Sequence, residues 1–144
     1  MTAMKTVSMV IVLGVVLAAC SSSESSVSVD EAWGRTSPAT ATNAAFYMAI
    51  EGGSEDDTLV SASSDACGVT ELHISVMNDG VMSMQHLPEG IAVPAGETVM
   101  LEPGSFHVMC IDRQQDFVAG DSIPLTLEFA GAGTVAINAE IREE

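Results

Sequence analysis

The sequence predicts an all-β fold, an antiparallel Greek-key β-sandwich, and three observations carry that reading. From residue 27 onward the apolar residues fall in short stretches, turn residues separate those stretches, and no long pattern of period 3.6 runs through them. Seven or eight strands in about 115 residues suit two packed antiparallel sheets. The first strand is expected at 27–33, before Ser37-Pro38. A second at 44–51 runs into Gly52-Gly53, and strands at 58–63 and 69–77 lead to the turn Asn78-Asp79-Gly80. Pro94-Ala95-Gly96 precedes a strand at 98–102, and Pro103-Gly104 turns the chain into another at 105–111. Ala119-Gly120-Asp121 opens a strand at 122–130, which Gly131-Ala132-Gly133 joins to the last at 133–142. There is no internal repeat.

At 144 residues the chain is one domain's worth, and 47% hydrophobic content is enough to bury a core. Against 20 acidic residues stand only Lys5, Arg35, Arg113 and Arg142, for a net charge of -16. Such a field repels nucleic acid and anionic headgroups, and it favours a cationic ligand or a partner with a basic docking patch.

Residues 1–19 are expected to be a targeting signal. Lys5 gives a positive start, and Val7 to Leu17 is an apolar run of about eleven residues, too short to span a bilayer. The segment Leu17-Ala18-Ala19-Cys20 resembles a bacterial lipobox, in which the cysteine is lipidated and becomes the new N-terminus. An ordinary signal peptide cut near Ala19 is the alternative, and both place the mature protein outside the cytoplasm. The lipobox reading anchors it in the cell envelope, on the extracytoplasmic side of a bacterial membrane. Residues 20–27, with the polar run Ser21 to Ser26, then form a lipidated tether, and residues 28–144 form the domain.

Three histidines and nine methionines are the residues with chemistry to spare. Alternation along 105–111 projects His107 and Met109 to one face, outward, while Phe106, Val108 and Cys110 project to the other. Along 69–77 the same rule puts Glu71, His73, Ser75 and Met77 opposite an apolar face of Thr70, Leu72, Ile74 and Val76. Met82 and Met84 share a side if the chain there is extended, whereas Met48 and Met100 fit strand cores. Methionines in such number also serve as irregular core filler. As ligands, thioether and imidazole suit Cu(I), and thioethers do not form the disulfides to which thiolates are prone outside the cytoplasm.

From Glu71-Leu72-His73 through Gly80-Val81-Met82-Ser83-Met84 and Val93-Pro94-Ala95-Gly96 to Leu101-Glu102-Pro103-Gly104-Ser105-Phe106-His107-Val108-Met109, the chain resembles the PCu(A)C-type periplasmic copper chaperones. Ala32-Trp33-Gly34-Arg35, Asn43 to Met48 and Gly120 to Leu127 also look like family landmarks, so the resemblance covers roughly residues 28–140. The family motif is a histidine, ten residues, a methionine, about twenty-one residues, then His-x-Met. It falls here on His73, Met84, His107 and Met109, with ten residues in the first interval and twenty-two in the second. The extra residue is assigned to a loop, Gln85 to Gly90, which also carries His86 as a surface residue; if that loop alters the path, Met77 or Met82 takes the place of Met84. The resemblance implies a cupredoxin-like sandwich that binds one Cu(I) per chain and passes it to a copper-receiving protein such as the copper centre of cytochrome c oxidase. The chain ends without the His- and Met-rich tail of some members, so no second site is expected, and the protein is expected to act as a monomer.

With Cys20 lipidated, Cys67 and Cys110 remain, and an even pair in an oxidising compartment suggests a disulfide. The competing reading makes Cys110 a thiolate ligand, as in a cupredoxin-type electron carrier, although no histidine follows it as such a ligand loop requires. A metal-free structural surface lipoprotein is a third reading. Enzymatic activity is not expected, since the chain has no nucleophile elbow, zinc-protease motif or phosphate loop. The acidic run Glu55-Asp56-Asp57 reads as a solvated loop.

Overall fold

A computed structural model describes residues 26–143, so the signal segment and Cys20 lie outside the described residues. No helix occurs among those described, and ten strands form one sheet: β1 (Ser28–Arg35), β2 (Ala44–Glu51), β3 (Asp57–Ser63), β4 (Cys67–Asn78), β5 (Val81–His86), β6 (Ile91–Val93), β7 (Thr98–Leu101), β8 (Phe106–Arg113), β9 (Ser122–Phe129) and β10 (Gly133–Arg142). Their order is β5-β4-β8-β7-β2-β1-β10-β9-β3-β6, with β2 also paired to β8. The sheet folds over a single core, giving the β-sandwich that the alternation predicted. Phe46, Met48, Ile50, Leu72, Leu101 and Val108 enter that core from one half, and Leu59, Ile123, Leu125, Leu127, Phe129 and Ile141 from the other.

The expected strands are present, with several corrections. Pairing is not wholly antiparallel, because β1 runs parallel to β10 through Trp33↔Glu140. The same strand carries a bulge against β2: between Asp30↔Ala49 and Trp33↔Tyr47 it has one residue more than its partner, with Glu31 at φ 51°. Strands β5 and β6 were not expected as such. Gln85 and His86, assigned to a loop, complete β5, which leaves Leu87 to Gly90 as the connecting turn. The hairpin β4–β5 closes on the two residues Asp79 and Gly80, both at positive φ, the conformation that a tight hairpin turn requires.

Met48 is core, but Met100 is not: it opposes Ala49 on the outer face and is 44% exposed. Nor is the acidic run all solvated. Asp57 is buried at the start of β3, and its carboxylate accepts the backbone N–H groups of Thr58, Gly131 and Ala132 at 2.7, 2.7 and 2.8 Å. It thereby ties β3 to the β9–β10 turn. Val27, where the expected tether and the first expected strand meet, belongs to the core.

Candidate metal centre

Register gathers the candidate ligands on the outer face of three adjacent strands. His73 of β4 stands opposite His107 of β8 on one side and His86 of β5 on the other, so three imidazoles form one row. Directly opposite residues share a face, and the ring centroids lie 5.8 Å apart for His73–His107 and 5.7 Å for His73–His86. One step along the same face, Met109 opposes Glu71 on one side of the row, and Met84 opposes Ser75 on the other. Met82 lies a further step away, opposite Met77.

The site has depth that alternation alone did not reveal. His107, expected to face outward, is 2% exposed, and Met109 is half-buried. The covering comes from β2, where the Phe46↔Val108 pairing sets Tyr47 beside His107 at a ring-centroid distance of 6.3 Å. A shallow cavity of about 390 Å³ opens above His107 between Tyr47, Arg35 and Ser75, with Met82 and Met84 at its side. Those two methionines are each 53% exposed on the edge strand β5. The floor of the site is a buried imidazole and its rim is thioether.

Hydrogen bonding fixes which ring nitrogens are available. Nδ1 of His107 lies 3.1 Å from the carbonyl of Ser105, and Nε2 of His73 lies 2.7 Å from Oε2 of Glu71. Carbonyl and carboxylate oxygens only accept, so both of these nitrogens carry the proton in the neutral ring. The lone pairs are then on Nε2 of His107 and Nδ1 of His73. Both atoms are buried and have no hydrogen-bond partner in the protein, whereas most buried polar atoms are paired with protein or with ordered water. Burial, helped by the neighbouring His73 and opposed by the Ser105 carbonyl, lowers the pKa of His107 below the ordinary histidine value. The bond from His73 holds the Glu71 carboxyl below its ordinary range.

Cys110 points into the core and is bonded to Cys67. That removes it as a thiolate, and with it the donor a blue-copper electron carrier needs. Among the described residues no group of three or more His, Cys, Asp or Glu is placed to hold a metal ion. The other soft donors on this face are the thioethers of Met84, Met82 and Met109. His86 is exposed as expected, though on a strand and in the imidazole row. Sequence reasoning missed the partners that prepare the site, Glu71 on His73 and Tyr47 over His107. The first was open to discovery, since Glu71 and His73 are two apart on one strand.

Residues 27–141 match the family described as "Putative lipoprotein LpqE-like". A protein of Leifsonia xyli subsp. xyli, likewise named a putative lipoprotein, is 32% identical over 117 residues, covering 81% of this chain and 70% of its own. Among solved structures, the apo PCuAC domain from PmoF1 aligns with a TM-score of 0.69 at 26% identity, over 82% of this chain and 94% of that one. The copper-bound PCuAC domain from PmoF2 gives 0.69 at 24%, over 82% and 93%. The Cu(I) form of DR1885 from Deinococcus radiodurans gives 0.63 at 21%, over 77% and 74%. The fold is thus that of the PCu(A)C type, as the sequence resemblance implied.

Proposed function

We propose that this chain, which belongs to the LpqE-like family, is an extracytoplasmic copper chaperone that binds one Cu(I) and hands it to a copper-receiving protein. It is a carrier of a metal cargo and not an enzyme. The lipoprotein names in its family support a lipid anchor in the cell envelope, which we assign to Cys20 at the end of the signal segment.

One observation carries the reading: two buried imidazole nitrogens, Nδ1 of His73 and Nε2 of His107, face one side of the sheet without partners. Imidazole and thioether together are a donor set for Cu(I), and two solved relatives of this fold are described with copper or Cu(I) bound. We assign His73, His107, Met84 and Met109 as ligands. Strand geometry supports Met84 over Met82, because two residues along a strand span about 7 Å, and Met82 stands one such step farther from the histidine row.

The arrangement also suits release. All four donors are neutral, and the exposed sulfur of Met84 lies on an edge strand where an incoming ligand can displace it. His107, at the floor, would be the last to let go. A net charge of -16 directs the chaperone toward a basic face on its acceptor; the copper centre of cytochrome c oxidase is the acceptor that the family resemblance implies.

The test is a Cu(I) competition titration of the purified mature protein, with X-ray absorption to count nitrogen and sulfur neighbours. One Cu(I) per chain with mixed nitrogen and sulfur coordination is expected, and the double change His107→Ala with Met109→Ala should abolish tight binding. Unchanged affinity in a folded double variant would reject the site.

A further inference from the structure

We infer that Glu71 is a positioning residue of the copper site, holding His73 so that Nδ1, and not Nε2, is presented to the metal. The inference rests on the copper-binding function proposed above and adds to it a residue outside the four ligands.

The argument starts from strand geometry. Glu71 and His73 are two apart on β4, so their side chains leave the same face, and the 2.7 Å contact from Nε2 to Oε2 joins them. An imidazole ring can be turned to offer either nitrogen. Once a carboxylate has accepted Nε2–H, turning the ring would break a charge-assisted hydrogen bond, and moving the proton to Nδ1 would leave the carboxylate facing a lone pair. The bond therefore selects both the tautomer and the ring orientation. Nδ1 is left buried and unpartnered.

The two histidines differ in how they are held. The N–H of His107 is given to the backbone carbonyl of Ser105, a partner that no side-chain change removes. His73 depends instead on a side chain, and that side chain is also the cross-strand neighbour of Met109. Glu71 thus stands beside two of the proposed ligands while donating no atom to the metal. Carboxylate partners of ligating histidines commonly set metal affinity by about 10- to 100-fold.

The experiment combines nuclear magnetic resonance of the ¹⁵N-histidine-labelled protein without metal with a Cu(I) competition titration, for wild type, Glu71→Ala and Glu71→Gln. Wild type should show a single Nε2–H tautomer for His73, with its N–H proton protected from exchange. Glu71→Gln keeps an acceptor oxygen and should retain that signature, with affinity within a few-fold of wild type. Glu71→Ala should lose the protected proton and bind Cu(I) about 10- to 100-fold more weakly, at an unchanged melting temperature. A merely structural role would move the melting temperature and leave the proton signal in place. Tight wild-type binding that survives Glu71→Ala would overturn the role of Glu71 alone. A wild-type protein that binds no Cu(I) would overturn the copper reading and this inference together.

Discussion

Removing the Cys67–Cys110 bridge should separate the stability of the domain from the integrity of its copper face. The two cysteines are 43 positions apart in sequence and 5.4 Å apart at Cα, and both are buried. In the chain-entropy treatment, a link closing a loop of that size destabilises the unfolded chain by about 4 kcal/mol. For a domain of roughly 120 residues each kcal/mol corresponds to about 3–5 °C, so the double change Cys67→Ala with Cys110→Ala should lower the melting temperature by about 15 °C. Circular dichroism on heating measures this, with reduced wild type as the matching control. The bridge runs from Cys67, at the Arg113 end of the β4–β8 ladder, to Cys110 opposite Thr70, whereas His73↔His107 lies three pairs farther on, beyond Glu71↔Met109 and Leu72↔Val108. Those backbone pairs hold the histidine register without help from sulfur. Cu(I) affinity at 10 °C, where the variant remains folded, should therefore stay within threefold of wild type. A drop below about 5 °C would refute the unfolded-state argument, and loss of copper binding by the folded variant would refute the claim that the ladder alone sets the register.

Asp57→Ala strips acceptors from three backbone N–H groups and should cost about 3–4 kcal/mol at pH 7. Asp57→Asn should cost less, because one oxygen remains for the Thr58 and Gly131 donors that now share Oδ1. Burial raises the Asp57 pKa, but the donors from Gly131, Thr58 and Ala132 more than offset it, so the folded value lies below 3.8. The unfolded chain then takes up the proton first, and the stabilisation is full above pH about 4 and lost as pH falls below it. Urea unfolding at pH 7, 4 and 3 should show the wild-type advantage over Asp57→Ala shrinking at the acid end; a constant difference would refute the assignment. For His107 the folded pKa is likewise depressed, chiefly by burial, so its contribution is intact above about pH 6.5 and lost as pH falls toward the folded value. Each unit of depression is worth about 1.4 kcal/mol. His107→Asn offers Nδ2–H to the Ser105 carbonyl in place of Nδ1–H, and its metal-free melting temperature should fall less than that of wild type between pH 7 and 5. Parallel declines would refute the pKa direction.

What was legible in the sequence follows from whether one face of a strand is buried. In β2 and β9 the inward residues Phe46, Met48 and Ile50, and Ile123, Leu125, Leu127 and Phe129, alternate with outward ones, and both strands were read within a residue or two. Strand β5 carries no such record, because it lies at the sheet edge and every residue in it is exposed. Its alternation of Met82, Met84 and His86 marks the ligand side of a strand with no core side, so only the Asp79-Gly80 turn announced it. Strand β6 is three residues long, too short to alternate. The bonds of Asp57 were illegible for another reason: Gly131 and Ala132 are 74 and 75 positions away.

Alternation reports the side of a sheet but not what lies over it. For His107 and Met109 it correctly gave a shared face, and it wrongly made that face open, because Tyr47 comes from a strand some sixty residues earlier that pairs with β8. The same error explains Met100, whose apolar character suggested the core although its strand presents it outward beside Ala49. Depth is the property that matters for the chemistry proposed here. An exposed imidazole would keep its lone pair occupied by water and titrate near the ordinary histidine value, whereas a buried one is left with an unsatisfied nitrogen and a depressed pKa, and both conditions favour a metal ion over a proton. The identities of the four proposed ligands are what the family resemblance implies, but the reason for two of them to bind a metal follows only from long-range pairing.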